Sequence, residues 1–465
     1  MIFNIDTKKG MALRDDTGNS LTYPELAHQI RQTEKYAPRQ GKLCFCLCSN
    51  TIGSVIAYLS ALENKIPVAL IDSTKDSDIV HDLISTYRPN YIWAPENKTF
   101  DNATVVYRTH GYVLWQSDDS HVHRLHPSLA LMLSTSGTTG SPKFVRLSQE
   151  NIFSNAESII TYLGIDSNER PVTSLPMHYS YGLSVINSHL LSGATILLTE
   201  HSILQREFWN FVQQNQATSF SGVPYTYEML KRLHFFRMSL PSLTTLTQAG
   251  GKLNPTMVEE FATECKKTGK RFVVMYGQTE ATARMSYLPA EFALEKPSSI
   301  GIPIPGGEFM IAGADGSIID QTETDGELIY RGKNVSLGYA SNPDDLAKGD
   351  ENKGILHTGD IAHRDSDNFY YITGRMKRFV KIWGNRCSLD AIEQLLKPRF
   401  CNVACEGVDD LITVFTTESS HADEIRQFLA QKTRLHTKAF AVKVLPMLPM
   451  SSSGKVQYAE LRNLL

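Results

Sequence analysis

No stretch of this chain approaches the roughly 18 uninterrupted apolar residues that a membrane span requires. The first residues, MIFNIDTKKGMALRDD, carry charges where a secretory leader would be apolar. The expectation is a cytoplasmic protein with no integral membrane segment. An excess of either charge is also missing: Lys and Arg total 46 against 49 Asp and Glu, a net charge of -3. Nothing in that balance draws the chain to nucleic acid or to an anionic surface, so small molecules are the expected partners. Seven cysteines are too few, and odd in number, for a disulfide framework in a chain of 465 residues. Cys44, Cys46 and Cys48 alternate in KLCFCLCSN, which on a strand places them on one face. Buried strand cysteines are expected there, because a metal site would want a second ligand cluster and none stands out. Tandem repeats, low-complexity tracts and a Walker A loop are absent too, and the last absence disfavours P-loop NTPases.

What is present is ordinary globular composition, 42% apolar and 20% charged, in a chain too long for one hydrophobic core. Segments such as VIAYLSALENKIPVALIDS and ATILLTEHSILQREFWNFVQQNQATSFSGVPYTYEMLKRL alternate helix-period stretches with short β-branched or aromatic runs. That alternation predicts an α/β fold of layered, largely parallel sheets. Near residue 355 the texture changes to short strands joined by Gly/Asp turns, then a helix at SLDAIEQLLKPRF, a strand pair around CNVACEGVDDLITVFTTE and a helix at HADEIRQFLAQKTRL. This predicts a large N-terminal domain over 1–376 and a small α+β C-terminal domain over 377–465, divided at the basic connector Arg375 to Arg378. The terminal SSSGKVQYAELRNLL reads as a loop followed by a helix, presenting Lys455 near a loop tip.

The stretch STSGTTGSPK, Ser134 to Lys143, follows the apolar run LALML. Glycines let backbone N–H groups approach a polyanion closely, hydroxyls add donors, and a lysine adds a mobile cation. Alone it is equally a hydroxyl-rich turn. Downstream, YGQTEAT (Tyr276 to Thr282), DGELIYRGKNVSLGYA (Asp325 to Ala340), HTGDIAHRDSDNFYYITGR (His357 to Arg375) and SSSGKV (Ser451 to Val456) follow in order. With these motifs, and LTYPEL near the start, nearly the whole chain resembles the acyl-adenylate-forming superfamily of acyl- and aryl-CoA synthetases, peptide-synthetase adenylation domains and beetle luciferases.

The resemblance implies ATP-dependent activation of a carboxylic acid to an acyl-adenylate with pyrophosphate release, followed by transfer to a thiol. Two anions must meet, which calls for charge neutralisation and positioning rather than a protein nucleophile. By this resemblance Thr135, Ser136, Gly137, Thr138, Thr139, Gly140 and Lys143 hold the β- and γ-phosphates of ATP. Tyr276, with Gly277 and Gln278 beside it, stacks on the adenine, Thr279 bonds the α-phosphate and Glu280 carries Mg2+. Asp360 takes the ribose hydroxyls and Arg375 a second ribose or phosphate contact. Ala249, Gly250 and Gly251 form a turn against the adenine and the acyl pocket, and Lys455 is the catalytic lysine. The small domain is implied to be a mobile lid that swings about Lys377, exchanging Lys455 for a second face around Lys381 and Gly384.

The chain departs from the family near PMHYSYGLS, where many CoA ligases carry a gating histidine. Aligned on Gly182, Tyr179 occupies the gate, and His178 falls one residue early as a supporting or packing residue. Tyr179, Ser180, Tyr181, Gly182 and Ala249 are the expected pocket lining. Ser180 stands where α-amino-acid activators place an acid, and no acid occurs between Pro176 and Glu200, which favours a fatty, hydroxy or aryl acid. No carrier or condensation domain is fused, so the acceptor thiol is expected to be free coenzyme A or the phosphopantetheine arm of a separate acyl carrier protein. The non-enzymatic alternative is a degenerate nucleotide-binding scaffold. Loss of Glu280, Asp360 or Lys455 would favour it, and all three are present.

Overall fold

The computed structural model describes residues 1–36, 42–119, 121–134, 143–376, 378–383, 385–400, 402–433, 435–451 and 455–465. Thr135, Ser136, Gly137, Thr138, Thr139 and Gly140 of the expected phosphate loop, and Lys377 and Gly384 of the expected hinge and second face, lie outside the described residues.

Strand Cys44–Cys48 shows how local pattern becomes packing. Successive side chains point to opposite faces, so Cys44, Cys46 and Cys48 enter one hydrophobic cluster while Phe45 and Leu47 enter another. All five residues are buried, as the alternation predicted. This strand pairs in parallel with Val68–Asp72 and Tyr91–Pro95 at the centre of an eight-stranded sheet. A nine-stranded sheet carries the parallel run Pro171–Val172, Ser219–Gly222, Thr245–Gln248 and Arg271–Tyr276.

The helices between these sheets are buried nearly all round. Ile52–Glu63 is buried from Ile52 through Leu62, and Ser180–Ser192 from Ser180 through Leu190. One cluster joins them to both sheets, with Leu13 and Ile196 from the nine-stranded sheet and Cys46 and Leu70 from the eight-stranded one. Thr51 caps the first of these helices through a bond from the Ser54 N–H. The predicted layered α/β architecture is therefore present.

A four-stranded antiparallel sheet follows, Gly307–Ala312, Gly326–Gly332, Ile355–Arg364 and Tyr370–Arg375. The strands after residue 355, where the sequence texture changes, complete a sheet begun at Gly307. Beyond Arg375 the chain builds its own core around Val380, Ile392, Leu396, Val414, Ile425 and Leu429. The strand pair Val403–Val408 and Leu411–Thr416, the helices Leu389–Leu396 and Ala422–Thr433, and the last helix Tyr458–Arg462 all fall where the sequence placed them. Among the described residues no helix is long and apolar enough to cross a membrane.

Arg146 ties the segment 337–351 to strand Phe144–Ser148. Its side chain is fully buried, donating to the Leu337 carbonyl at 2.9 Å, the Tyr339 carbonyl at 3.1 Å and Glu351 at 2.6 Å. Replacing Arg146 with Met strands several carbonyls in an apolar setting and is expected to cost about 2 kcal/mol. The check is the thermal midpoint of the full chain, and an unchanged midpoint would show that this clamp is dispensable.

Candidate active site

The parallel strands of the nine-stranded sheet end side by side, with Gly222 opposite Gln248 and Gln248 opposite Val274. Their carboxyl ends deliver the turn after Gly222, the turn Ala249–Gly251 and the segment Tyr276–Glu280 to one edge. Ligands gather at such edges in α/β sheets. Gly277 is obligatory there: a Cβ on it would lie 1.8 Å from the Ala283 carbonyl oxygen. Gly182 likewise lets helix Ser180–Ser192 start against the preceding loop, since a Cβ would lie 2.3 Å from the Pro176 carbonyl oxygen.

Asp360 is the most enclosed acid at this edge, 2% exposed. The Tyr276 hydroxyl and the Gln278 amide, the latter at 3.0 Å, donate to one of its oxygens, and Arg375 Nε donates to the other at 3.0 Å. Asp360 and Arg375 face each other across adjacent strands. A carboxylate has about four acceptor sites, so one remains beyond these three donors. Burial first, and then the Asp360 charge, holds the Tyr276 phenol well above its ordinary pKa, so it stays a donor.

Thr279 and Glu280 lie in a short turn over Thr279–Ala281. The Thr279 hydroxyl is 3.1 Å from that of Ser180, and Glu280 accepts from the Tyr339 hydroxyl at 2.6 Å. Tyr179 is the N-cap residue of helix Ser180–Ser192, and its hydroxyl lies against Gly250, where a Cβ would approach it to 2.5 Å. Gly250 has φ +84°, a conformation that glycine adopts freely. Tyr181 is buried and its hydroxyl meets that of Thr247 at 2.8 Å. Ala249 is buried and bonds back to the Gly222 carbonyl at 3.2 Å.

Lys455 reaches this edge from the small domain, its ammonium 5.2 Å from the centre of the Tyr179 ring. The residue is exposed. Crowding of the ammonium by protein lowers its pKa, Arg375 lowers it further, and Glu280 and Asp360 oppose the shift. The lysine is tied to Ser451, whose N–H donates to the Lys455 carbonyl at 2.8 Å while the Lys455 N–H donates to the Ser451 hydroxyl at 3.1 Å. Three residues on, the Tyr458 hydroxyl donates to Glu393 at 3.0 Å while the Arg378 guanidinium stacks 3.7 Å from the Tyr458 ring and donates to Glu393 at 2.8 Å.

Lys143 is exposed immediately before strand Phe144–Ser148. Lys381 is exposed too, its backbone bonded to Asp409 and Asp410 within the small domain rather than to this edge. His178 faces Asp72, Nε2 to carboxylate oxygen 3.6 Å, in a supporting position. Tyr339, Arg378, Glu393 and Tyr458 were not singled out in the sequence. Tyr339 lies inside the quoted DGELIYRGKNVSLGYA and Arg378 inside the basic connector, so both were visible as residues without a visible partner.

Residues 7–340 match the family described as AMP-binding enzyme. The chain belongs to the AMP-binding enzyme family. It is 29% identical over 344 residues to oxalate–CoA ligase of Arabidopsis thaliana, covering 70% of this chain and 66% of that protein. It is 27% identical over 345 residues to probable CoA ligase CCL9 of Humulus lupulus, covering 71% and 65%. The matches thus span just under two thirds of these relatives' own length. Among solved structures, o-succinylbenzoate CoA synthetase from Bacillus subtilis, in complex with the acyl-adenylate intermediate OSB-AMP, shares the fold with a TM-score of 0.78 at 21% identity, covering 98% of this chain and 95% of that one. For this AMP-binding enzyme the likeness establishes a mixed α/β fold with a smaller C-terminal part.

The lattice under Lys455 has a measurable consequence. Tyr458→Phe removes one hydrogen bond to Glu393 and is expected to cost the small domain about 1 kcal/mol, whereas Arg378→Met strands Glu393 and Asp390 without their buried cation and costs about 3 kcal/mol or more. Hydrogen exchange of strands Val403–Val408 and Leu411–Thr416 checks both, and equal protection in the two variants would contradict this ranking.

Proposed function

We propose that this AMP-binding enzyme is an AMP-forming acid–thiol ligase: it activates a carboxylic acid with ATP, releases pyrophosphate, and passes the acyl group to a thiol. The observation that carries this reading is the convergence of Lys455 from the small domain with Tyr179, Glu280, Asp360 and Arg375 at one sheet edge. The carboxylate oxygen attacks the α-phosphorus and the bond to pyrophosphate breaks. The thiolate then attacks the acyl carbon, and AMP departs with the former carboxylate oxygen.

In the first step Lys455 and Arg375 supply positive charge where two anions meet. Thr279 donates to the α-phosphate, and Ser180 orients its hydroxyl through the contact at 3.1 Å. Tyr276, fixed through Asp360, supports the adenine together with Gly277, Gln278, Gly250 and Gly251. Asp360 offers its remaining acceptor site to the ribose, and loop residues Thr135–Gly140 with Lys143 hold the outer phosphates. Among the described residues no group of three or more His, Cys, Asp and Glu side chains is arranged to hold a metal ion. A single carboxylate, Glu280, oriented by Tyr339, suits Mg2+, which takes one or two protein carboxylates and completes its shell with phosphate oxygens and water. Bound there, the ion would neutralise phosphate charge.

The division of labour follows residues 1–376 and 377–465, the second acting as a lid that swings near Lys377 and brings the face of Lys381 and Gly384 to the thioester step. Two acceptors fit this chemistry, free coenzyme A and a carrier protein's phosphopantetheine arm. Pyrophosphate release across short, long, hydroxy and aryl acids, each with and without CoA, separates them: a CoA thioester supports the first, enzyme-bound acyl-AMP alone supports the second, and no release with any acid would contradict the activity.

Lys455→Ala is expected to abolish carboxylate-dependent pyrophosphate release while sparing ATP binding, and wild-type release would remove the lysine from the mechanism. Asp360→Ala is expected to weaken ATP binding, checked by titration calorimetry, with unchanged affinity as the contrary result. Because Lys455 acts as a cation, kcat/KM should fall as pH rises through its lowered pKa. Arg375→Met removes a charge that lowers that pKa, so the alkaline limb should move to higher pH. A limb that stays in place would show that another group titrates.

A further inference from the structure

Among the described residues, Arg284 is a strongly buried cation whose environment the activity just described leaves unexplained. It follows the Thr279–Ala281 turn and precedes strand Ser286–Leu288, and it is 2% exposed. Its Nη1 donates to the Tyr162 hydroxyl at 3.1 Å and contacts the Met275 sulfur at 3.3 Å, and the guanidinium lies 5.0 Å from the centre of the Tyr181 ring. Its Nε–H is buried without an acceptor. Among the described residues no carboxylate stands within ion-pair distance of it, whereas buried Arg146 has Glu351 and buried Arg378 has Asp390 and Glu393. Burying a cation without a counter-ion is costly, so an arginine so placed calls for an anion from outside the chain.

A small cavity adjoins it. Arg284 lines a cavity with Val185, His189, Ser221 and Thr247, and the Ser219 hydroxyl in the same wall also lacks a partner. His189 adds no charge: burial pushes its pKa down to about 4, and its Nδ1 is 2.8 Å from the Val185 carbonyl oxygen. At another part of the wall Glu169 is engaged by the Thr218 hydroxyl, and Arg271 by the Leu163 carbonyl and the Thr245 hydroxyl. Three consecutive residues, Tyr179, Ser180 and Tyr181, lead from the reacting edge to Arg284. Lys455 lies over Tyr179, Thr279 meets Ser180, and Arg284 lies over Tyr181.

We propose that Arg284 is the specificity-determining residue of the acyl pocket and receives a second carboxylate on the substrate, so that the acid activated is a dicarboxylic acid. This rests on the carboxylate-activating reading of the site. One carboxylate is presented below Lys455 and Thr279 for attack on the α-phosphorus. The other accepts from the orphaned Nε–H and from the guanidinium's outer face, with the Ser219 and Ser221 hydroxyls in the same wall. A substrate ammonium would be repelled from this end, in keeping with the absence of an acid between Pro176 and Glu200.

The test compares malonate, succinate, glutarate and phthalate with their monomethyl esters, each of which keeps one carboxylate, in ATP-dependent pyrophosphate release by the full chain. For the best diacid, esterification should lower kcat/KM by roughly 100-fold or more, since a site built for a charged partner rejects the analogue lacking it. Arg284→Met should lower diacid kcat/KM by about 100-fold, chiefly through KM, and leave the ester within about threefold, with Arg284→Lys partly restoring the diacid. The same diacid should raise the thermal midpoint of the wild type and not of Arg284→Met. Esters used as well as diacids, or an Arg284→Met defect equal for both, overturns the assignment while leaving the ligase activity standing. Absence of release with every acid tried overturns the activity and this assignment together.

Discussion

The buried carboxylate of Asp360 is the point through which the rest of the site is held. Its donors come from two directions: Tyr276 and Gln278 at the carboxyl end of the nine-stranded sheet, and Arg375 from the four-stranded sheet. A charge removed from water to this degree must be surrounded by donors, so the two sheets are fixed against each other at this edge. From Arg375 the chain continues at once into the small domain, and the Arg378 N–H bonds back to the Arg375 carbonyl at 3.1 Å. Arg378 then engages Glu393, Glu393 engages Tyr458, and Tyr458 follows the turn that carries Lys455. One chain of hydrogen bonds and ion pairs thus runs from the Asp360 carboxylate through Arg375, Arg378 and Glu393 to Tyr458, three residues from Lys455.

Charge explains why these parts must meet. The proposed first step joins a carboxylate to a polyphosphate, and the protein answers with cations that enter from different elements. Arg375 comes from a strand edge, Lys455 from a loop of the small domain and Lys143 from the start of a strand. On the proposed two-step reading separate placement matters, because a domain that bears one of these cations could withdraw it when the second step requires a different surface. The clamp of Arg378 on Glu393 and Asp390 lies wholly within the small domain.

Much of this was legible before any coordinates. Alternation in CFCLC placed three cysteines on one face of a buried strand, helix-period stretches alternating with β-branched runs marked the layered α/β units, and ordered motifs marked the acid, the tyrosine and the lysine of the candidate site. Local pattern sufficed wherever a residue's role follows from its neighbours in the chain. It failed where the partner lies far away in sequence. Tyr339 contacts Glu280, Arg378 contacts Glu393 and Tyr458, and Arg146 contacts Glu351, each across a gap that no periodicity reports. Arg284 was invisible for the same reason: its significance is the lack of a partner, which only the packed structure can show.

The central claim is that a carboxylate oxygen attacks the α-phosphorus of ATP at this edge. Its most direct test is to supply an acid labelled with 18O in both carboxylate oxygens, together with the acceptor thiol, and to weigh the AMP that is formed. The account predicts one labelled oxygen in the AMP phosphate, delivered when the thiol displaces it from the acyl carbon. Unlabelled AMP, or ADP with labelled inorganic phosphate, would contradict it.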